Sequence, residues 1–227
     1  MNFVEYNDYY RIKKSGDLMS QILLLVFELI GTVAFALSGA MIGLQKKMDI
    51  FGVSTLGLIT AVGGGVMRDL VLGNTPPETF KNPIYGLVAL GTSMLVFIPV
   101  FRKLHNLNQR IFDIVLLVMD SLGLAVFTVM GINTAVSVTD SFNIYLLLFV
   151  GIITGTGGGV IRDVLAKNTP YIFIKHFYAT ASLIGAGVCI ALWNLTSQII
   201  AMVSGAILIF ILRMFAAHYH WELPKAE

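Results

Sequence analysis

The sequence predicts an all-α membrane protein with seven transmembrane helices, arranged as two inverted three-helix repeats plus a seventh helix. Three observations lead to this fold class: the composition, the length of the apolar segments and an internal repeat. Hydrophobic residues make up 56% of the 227 positions and charged residues only 12%, about half the charged share of a globular protein. A transmembrane β-barrel is disfavoured because its strands alternate apolar and polar residues, whereas residues 203–212 are apolar on both faces.

Seven apolar segments have the length of a membrane-spanning helix, about 20 residues. They lie at about residues 21–43, 51–73, 83–101, 111–133, 143–166, 176–194 and 197–217. Residues 1–20 form a polar tail of mixed charge, and residues 218–227 form a C-terminal tail. Seven spans use about 140 positions, so no room remains for a separate catalytic domain, and we do not expect an enzyme.

One block of sequence occurs twice, and the two copies define an internal repeat. The first copy reads Gly-Gly-Gly-Val-Met-Arg-Asp-Leu and the second reads Gly-Gly-Gly-Val-Ile-Arg-Asp-Val, and each is followed by Asn-Thr-Pro. Equivalent residues lie 94 positions apart: Gly63 and Gly157, Gly64 and Gly158, Gly65 and Gly159, Arg68 and Arg162, Asp69 and Asp163.

The match extends on both sides of this block. Upstream, the offset is 92 residues and the equivalent pairs are Glu28 and Asp120, Gly31 and Gly123, Phe35 and Phe127, Gly39 and Gly131. Downstream, the offset is 93 residues and the pairs are Phe80 and Phe173, Tyr85 and Tyr178. The chain therefore divides into a first repeat at residues 21–106, a second at residues 107–194 and a seventh helix at residues 195–217.

The number of helices in a repeat and the distribution of basic residues predict the topology. Three is an odd number, so each repeat delivers the chain to the opposite side of the membrane, and the two copies are inverted relative to one another. Four Lys and Arg residues lie on the side of the N-terminus and nine on the other side, among them Arg213 at the end of the seventh helix. The positive-inside rule then places the N-terminus outside and the C-terminus in the cytoplasm.

Two arginines remain well inside the predicted spans, Arg68 and Arg162. Each costs at least about 2.5 to 3.5 kcal/mol on insertion scales, so we expect partners or water around both. The adjacent Asp69 and Asp163 are candidate partners, and pairing across the repeats, Arg68 with Asp163 and Arg162 with Asp69, is a second arrangement. The charges either lock the repeats together or line a hydrated path.

A further pair of intramembrane charges, Glu28 and Asp120, occupies equivalent positions in the first helix of each repeat. Intramembrane carboxylates mark functional sites by default. These two could neutralise the arginines or bind a permeating cation.

Three consecutive glycines destabilise a helix by about 2 to 3 kcal/mol relative to alanine. We therefore expect a break or kink at residues 63–65 and 157–159, and paired breaks in equivalent halves indicate a transport path. Thr60 and Thr154 lie one turn earlier, where their hydroxyls can bond freed carbonyls or face water. The alternative explanation of the glycines is close helix packing.

Other classes of function lack support in the sequence. The net charge is only +2, and no basic cluster is interleaved with aromatic residues, so we expect no nucleic-acid partner. The chain has a single cysteine, Cys189, and its four histidines lack the spacing of metal ligands, so we expect no bound metal and no cofactor.

The doubled Gly-Gly-Gly-x-x-Arg-Asp block with its Asn-Thr-Pro continuation resembles the bacterial branch of the TRIC (trimeric intracellular cation) channel family, which has also been labelled a glycine-transporter domain. The resemblance covers about residues 21–217. It implies a homotrimer in the lipid of the bacterial inner membrane, in which each protomer has its own pore for monovalent cations, chiefly potassium, with sodium as a second candidate. The second and fifth helices would flank this pore, with Arg68, Asp69, Arg162 and Asp163 close to the pathway.

Two expectations accompany the resemblance. Faces of small residues, at Gly39 and Gly43 in the first span and Gly123 in the fourth, are candidates for packing against neighbouring protomers. The residues also leave a second function open, a secondary transporter of a small zwitterion such as glycine, in which half-helix ends bind the substrate carboxylate.

Overall fold

The computed structural model describes residues 3–98, 109–139, 142–174 and 177–221, with the backbone alone for residues 3–17 and 174. All regular secondary structure within these ranges is helical. In chain order the helices are α1 (Phe3–Gln45), α2 (Ile50–Val71), α3 (Glu78–Lys81), α4 (Ile84–Val96), α5 (Gln109–Val138), α6 (Ile144–Leu165), α7 (Tyr171–Ile174), α8 (Tyr178–Trp193) and α9 (Gln198–His218).

Five helices in the described part of the chain are long and apolar enough to cross a membrane: residues Leu18–Gln45 of α1, α2, α5, α6 and α9. They confirm an all-helical membrane protein and five of the predicted spans. The predicted spans at residues 83–101 and 176–194 correspond to α4, with 13 residues, and α8, with 16 residues. At 1.5 Å per residue these two helices are about 20 and 24 Å long, shorter than a hydrocarbon core of about 30 Å.

The ends of some elements differ from the sequence prediction. The predicted tail at residues 1–20 is not separate from the first span, because α1 is one helix of 43 residues that begins at Phe3. The one-turn helices α3 and α7 have no counterpart in the prediction. Four residues are too few to display a helical period, so such turns carry no pattern of their own.

Side chains at the N-caps begin three of the long helices. Asp49 before α2, Asn143 before α6 and Ser197 before α9 each accept a hydrogen bond from the backbone N–H three residues later, over 2.7, 3.2 and 3.4 Å. These bonds satisfy N–H groups that have no partner within the helix. These three helices therefore begin at a residue that the local sequence specifies.

Helices α2 and α6 end in the same way, as expected of two copies of one motif. Gly73 and its equivalent Lys167 adopt left-handed backbone conformations with φ of 72° and 55°. The N–H group of the following residue then donates to the carbonyl of Asp69 or Asp163, over 2.8 Å in both copies. This closure holds the two aspartates in the last helical turn.

Reciprocal contacts between α1 and α5 relate the two repeats in space. A Cβ atom on Gly123 would lie 2.1 Å from the ring of Phe35, and one on Gly31 would lie 3.1 Å from the ring of Phe127. The two rings also contact each other, with centroids 5.3 Å apart. Because residue 35 pairs with 123 and residue 31 with 127, α1 and α5 run antiparallel.

The glycine runs bring the backbones of α2 and α6 into contact. A Cβ atom on Gly64 would lie 2.1 Å from the carbonyl oxygen of Thr154, and one on Gly158 would lie 2.1 Å from that of Thr60. Because residue 60 contacts residue 158 and residue 64 contacts residue 154, α2 and α6 cross in antiparallel directions. Small residues allow this approach of two backbones inside a membrane protein.

The predicted break in the helices at the glycines is wrong. Helix α2 is continuous from Ile50 to Val71, and α6 is continuous from Ile144 to Leu165. Packing at the crossing offsets the low helix propensity of glycine, since tertiary contacts override propensity terms of this size. The close packing of small residues, the alternative explanation, is what the structure contains. A bend of the axis at residues 63–65 and 157–159 stays a prediction.

The small residues that we expected between protomers lie inside one protomer. A Cβ atom on Gly39 would lie 2.4 Å from Thr60 Oγ1, and one on Gly43 would lie 3.1 Å from Val53 Cα. Gly123 is covered by the ring of Phe35. The expectation that these glycines face a neighbouring protomer is therefore wrong, because α1 already packs against α2 and α5 through them.

The seventh helix, α9, packs against the second repeat. A Cβ atom on Gly185 of α8 would lie 2.8 Å from the carbonyl oxygen of Gly205 of α9. Val129, Cys189 and Ile209 are fully buried in the core that α5, α8 and α9 share. This helix gives the second repeat a cover that the first repeat lacks within the described residues.

The crossing predicts a difference between neighbouring glycines. Gly64→Ala and Gly158→Ala should each lower the free energy of unfolding by about 1 to 3 kcal/mol, the usual cost of overpacking, because the new methyl group meets a backbone carbonyl that cannot move aside. Thermal unfolding in mild detergent measures the effect. Gly65→Ala is the matched control, since the nearest atom to its Cβ is 3.9 Å away; equal melting temperatures for all three variants would contradict the crossing.

Candidate functional site

Each intramembrane arginine pairs with the aspartate that follows it in the chain. The Nε atom of Arg68 lies 2.8 Å from Asp69 Oδ1, and that of Arg162 lies 2.8 Å from Asp163 Oδ1. Pairing across the repeats is therefore wrong. In both α2 and α6 the Arg-Asp pair lies on the C-terminal side of the glycine crossing. Because the two helices are antiparallel, the pairs lie on opposite sides of the crossing. Each arginine is therefore about 20 Å along the helix axis from the aspartate of the other repeat.

The second carboxylate oxygen of each aspartate binds the next element of its repeat. Asp69 Oδ2 accepts from the N–H of Glu78, the first residue of α3, over 2.8 Å. Asp163 Oδ2 accepts from the N–H of Tyr171, the first residue of α7, over 3.0 Å. Both aspartates thus hold an arginine on one side and a helix N-terminus on the other.

A small cavity lies in front of Arg68. Its volume is about 30 Å³, and Glu28, Thr32, Arg68, Glu78 and Tyr85 supply its polar lining. That volume is enough for one or two water molecules. The Tyr85 hydroxyl donates to Glu28 Oε2 and joins α4 to α1. Because Glu28 is half-buried and Glu78 is exposed, this cavity connects with the surface.

The equivalent region around Arg162 is closed. Its Nη1 atom donates to Asp120 Oδ1 over 2.6 Å and also to Ser38 Oγ. Arg162, Asp120, Asp163 and Ser38 are all fully buried. The guanidinium therefore joins α1, α5 and α6 at one point. Glu28 and Asp120 occupy equivalent positions, but their surroundings differ: Glu28 lines a cavity with room for water, whereas Asp120 is fully buried.

Two aromatic rings and a second cation complete the closed cluster. The Arg162 guanidinium lies 4.9 Å from the centroid of the Tyr171 ring, and that of Arg213 lies 4.8 Å from the centroid of Tyr178. Burial raises the pKa of the Tyr171 phenol to about 12, although Arg162 opposes the shift. Tyr171 therefore stays neutral at physiological pH and presents a ring face to the guanidinium.

We predicted two possible roles for Thr60 and Thr154, bonding helix carbonyls or facing water, and the structure shows the first. Their hydroxyls donate to the carbonyls of Leu56 and Val150, four residues earlier, over 2.6 Å in both helices. Both side chains are fully buried at the crossing. Bonds of this kind inside a helix satisfy the hydroxyl locally, so neither threonine faces water in this structure.

Sequence reasoning did not identify several residues of the site. Tyr85 and Tyr178 carried a signal, because they recur at an offset of 93 residues, yet tyrosine is too common in membrane helices for recurrence alone to suggest a role. Ser38 carried none, since its equivalent is Met130. Arg213 was placed at a helix end, but it is only 2% exposed and lies within α9.

Metal coordination has no support in the described residues, which contain no group of three or more His, Cys, Asp or Glu side chains arranged to hold an ion. Cys189 is buried as a free thiol. The chemistry of the site is therefore that of paired charges, hydroxyls and aromatic rings.

Comparison with known proteins matches this architecture. A family model described as Glycine transporter covers residues 25–100 and residues 117–194, one segment for each repeat. The UPF0126 inner membrane protein YadS of Escherichia coli is 38% identical over 200 residues, which are 87% of this chain and 93% of that protein. A UPF0126 membrane protein of Vibrio cholerae is 37% identical over 95% of this chain and 88% of its own length.

Solved structures decide the family. A TRIC cation channel superposes with a TM-score of 0.78 at 38% identity, over 89% of this chain and 96% of that one. A TRIC trimeric intracellular cation channel orthologue from Rhodobacter sphaeroides superposes with a TM-score of 0.79 at 32% identity, over 87% and 98% of the two chains. The chain belongs to the TRIC family. The TRIC relatives in these superpositions are channels, not enzymes.

The two ends of the TRIC site predict unequal responses to the same change. Asp120→Ala should lower the free energy of unfolding by about 3 kcal/mol, because it leaves a buried guanidinium with too few partners. Glu28→Ala should cost about 1 kcal/mol or less, since its surroundings are hydrated. Melting temperatures in detergent compare the two variants, and a larger loss for Glu28→Ala would contradict the closed state of the Arg162 end.

Proposed function

We propose that this TRIC-family chain is a homotrimeric channel for monovalent cations, principally potassium and secondarily sodium, with one path per protomer. The path runs along α2 and α6 between the two charge clusters and passes their glycine crossing. The observation that carries the proposal is the charge balance at the Arg68 end, where Glu28 and Asp69 face one guanidinium and Glu78 pairs with Lys81.

Charge balance fits a monovalent cation. With all groups ionised, Arg68 leaves one negative charge uncompensated among Glu28 and Asp69, whereas Arg162 and Arg213 balance Asp120 and Asp163. A single positive ion neutralises the excess at the Arg68 end, whereas an anion would increase it. Intramembrane ionisable residues facing water mark ion pathways, and the cavity in front of Arg68 is such a place.

The arginines are suited to control the path. A guanidinium stays protonated in a protein, so it repels a cation unless its carboxylates neutralise it. At the Arg68 end the cavity provides room for hydration, and at the Arg162 end the buried cluster excludes water. We therefore assign gating to Arg162, with opening by a bend of α6 at residues 157–159, where glycine lowers the resistance of the backbone.

The proposed topology has seven membrane crossings in two inverted repeats. The antiparallel crossings of α1 with α5 and of α2 with α6 support the inversion, and flanking residues would extend the shorter α4 and α8 across the core. With the N-terminus outside and the C-terminus in the cytoplasm, the Arg68 cavity opens outward and the Arg162 cluster lies toward the cytoplasm of an inner membrane.

Assembly as a trimer rests on the relatives, since the Rhodobacter sphaeroides protein is a trimeric channel. Exposed apolar side chains on α1 provide a surface for such contacts, including Ile22, Val26, Ile30 and Val33. Protomers in a membrane associate through packing of such faces and not through hydrophobic burial from water. Membrane lipid covers the remaining apolar surface.

A transporter of a small zwitterion such as glycine is the second candidate. The cavity places the guanidinium of Arg68 and the carboxylates of Glu28 and Glu78 around one space, and these groups match a carboxylate and an ammonium. The description of the matching family model points the same way. The small volume of the cavity favours the channel, because a bare ion needs less room than an amino acid.

Conduction is tested by recording from purified protein in planar bilayers. We expect discrete potassium currents, and Arg162→Gln should raise the open probability because it removes the charge that closes the path. Arg68→Gln is the matched variant at the open end and should alter unitary conductance instead. Saturable uptake of labelled glycine into vesicles without unitary currents would support the transporter and reject the channel.

Assembly is tested by mass. Native mass spectrometry or light scattering in mild detergent should give three times the 24.8 kDa of one chain, because apolar faces of this kind remain covered by protein in a gentle micelle. Monomers alone at high protein concentration would refute the trimer while leaving the path within a protomer intact.

A further inference from the structure

Arg162 is bound by a residue of the first repeat that has no equivalent hydroxyl in the second. Arg162 Nη1 donates to Ser38 Oγ and to Asp120 Oδ1, and Ser38 Oγ lies 3.4 Å from the same carboxylate oxygen. The residue equivalent to Ser38, by the offset of 92, is Met130 of the second repeat, which lies in the core that α5 shares with α8 and α9. A thioether sulfur is only a weak acceptor, so this position offers Arg68 no equivalent of the Ser38 contact.

The residues around Arg162 are the counterparts of those that line the open cavity. In each pair the first residue lines that cavity and the second belongs to the other repeat: Glu28 and Asp120, Val62 and Thr156, Gly65 and Gly159, Glu78 and Tyr171, Tyr85 and Tyr178. Asp120, Thr156 and Tyr178 are buried, with exposed fractions of 0, 4 and 2%. The Arg162 cluster is thus a closed version of the same cavity.

Polar atoms at the closed end are incompletely satisfied. Asp120 Oδ2, Arg162 Nη2 and Tyr178 Oη are buried without a hydrogen-bond partner among the described residues. Two of them lie beside Gly159, where a Cβ atom would be 3.0 Å from Tyr178 Oη and 3.8 Å from Arg162 Nη2. Buried groups of this kind favour a state in which water reaches them, so some contact has to hold the end closed.

We propose that Ser38 is that contact: it positions Arg162 across Asp120 and keeps the second-repeat end of the path closed, whereas the Arg68 end has no equivalent hydroxyl. Ser38 touches the arginine and not the permeating ion, so it is a positioning residue. Its consequence for conduction rests on the proposed channel function, but its effect on water access does not.

Water access is measured with single cysteines at equivalent positions. The variants are Val62→Cys in the open cavity and Thr156→Cys at the closed end, both in a Cys189→Ser background that removes the only cysteine. A small water-soluble methanethiosulfonate reagent labels exposed thiols, and intact-protein mass spectrometry follows the rate. We expect fast labelling of Val62→Cys and protection of Thr156→Cys.

Adding Ser38→Ala should increase labelling of Thr156→Cys by about tenfold, since a hydrogen bond to a charged group is lost, and leave Val62→Cys unchanged. Ser38→Thr keeps a hydroxyl and should restore protection. Met130→Ser places a hydroxyl at the position equivalent to Ser38 and should slow labelling of Val62→Cys, which provides a second test if Ser38→Ala does not fold.

Bilayer recording adds the functional readout. Ser38→Ala should raise the open probability by about tenfold with unchanged unitary conductance. Ser54→Ala is the control, because Ser54 is another buried serine whose hydroxyl has no partner among the described residues. Unchanged labelling of Thr156→Cys on adding Ser38→Ala overturns the proposal, whereas increased labelling in a protein without currents supports the role of Ser38 and rejects the channel.

Discussion

An ionised guanidinium buried in an apolar helix bundle has to be satisfied by other parts of the chain, and most of this structure is arranged around that requirement. Arg162 is bound by Ser38 of α1, Asp120 of α5 and Asp163 of α6, and it lies over the ring of Tyr171 at the start of α7. Such a cluster costs several kcal/mol per ion if its geometry fails. The positions of four helices are therefore coupled through one side chain.

The first repeat solves the same problem with a cavity. Arg68 keeps its bond to Asp69 and lines a cavity that Glu28 and Tyr85 share. The cavity has room for one or two water molecules, and hydration reduces the cost of a buried charge. One motif thus produces an open end and a closed end.

The glycine runs illustrate how a strong sequence signal can be assigned the wrong local structure. Their position in two equivalent copies was predictable, because three consecutive glycines in an apolar segment are unusual and recur with the same flanking residues. The helices do not break there, because Gly64 and Gly158 each pack against the backbone of the other helix, at a distance that leaves no room for a side chain. The facing backbone supplies contacts that a helix considered alone does not have.

The sequence by itself determined the helical membrane fold, the two repeats and the residues Glu28, Arg68, Asp120 and Arg162, since these follow from composition, span length and recurrence. It could not determine which acid pairs with which arginine, that Ser38 reaches Arg162, or that Arg213 is buried within α9. Those features depend on distances between helices far apart in the chain. The sequence repeat is nearly symmetric, but the two ends differ in their contacts, and only the packed structure places Ser38 beside the charge of Arg162.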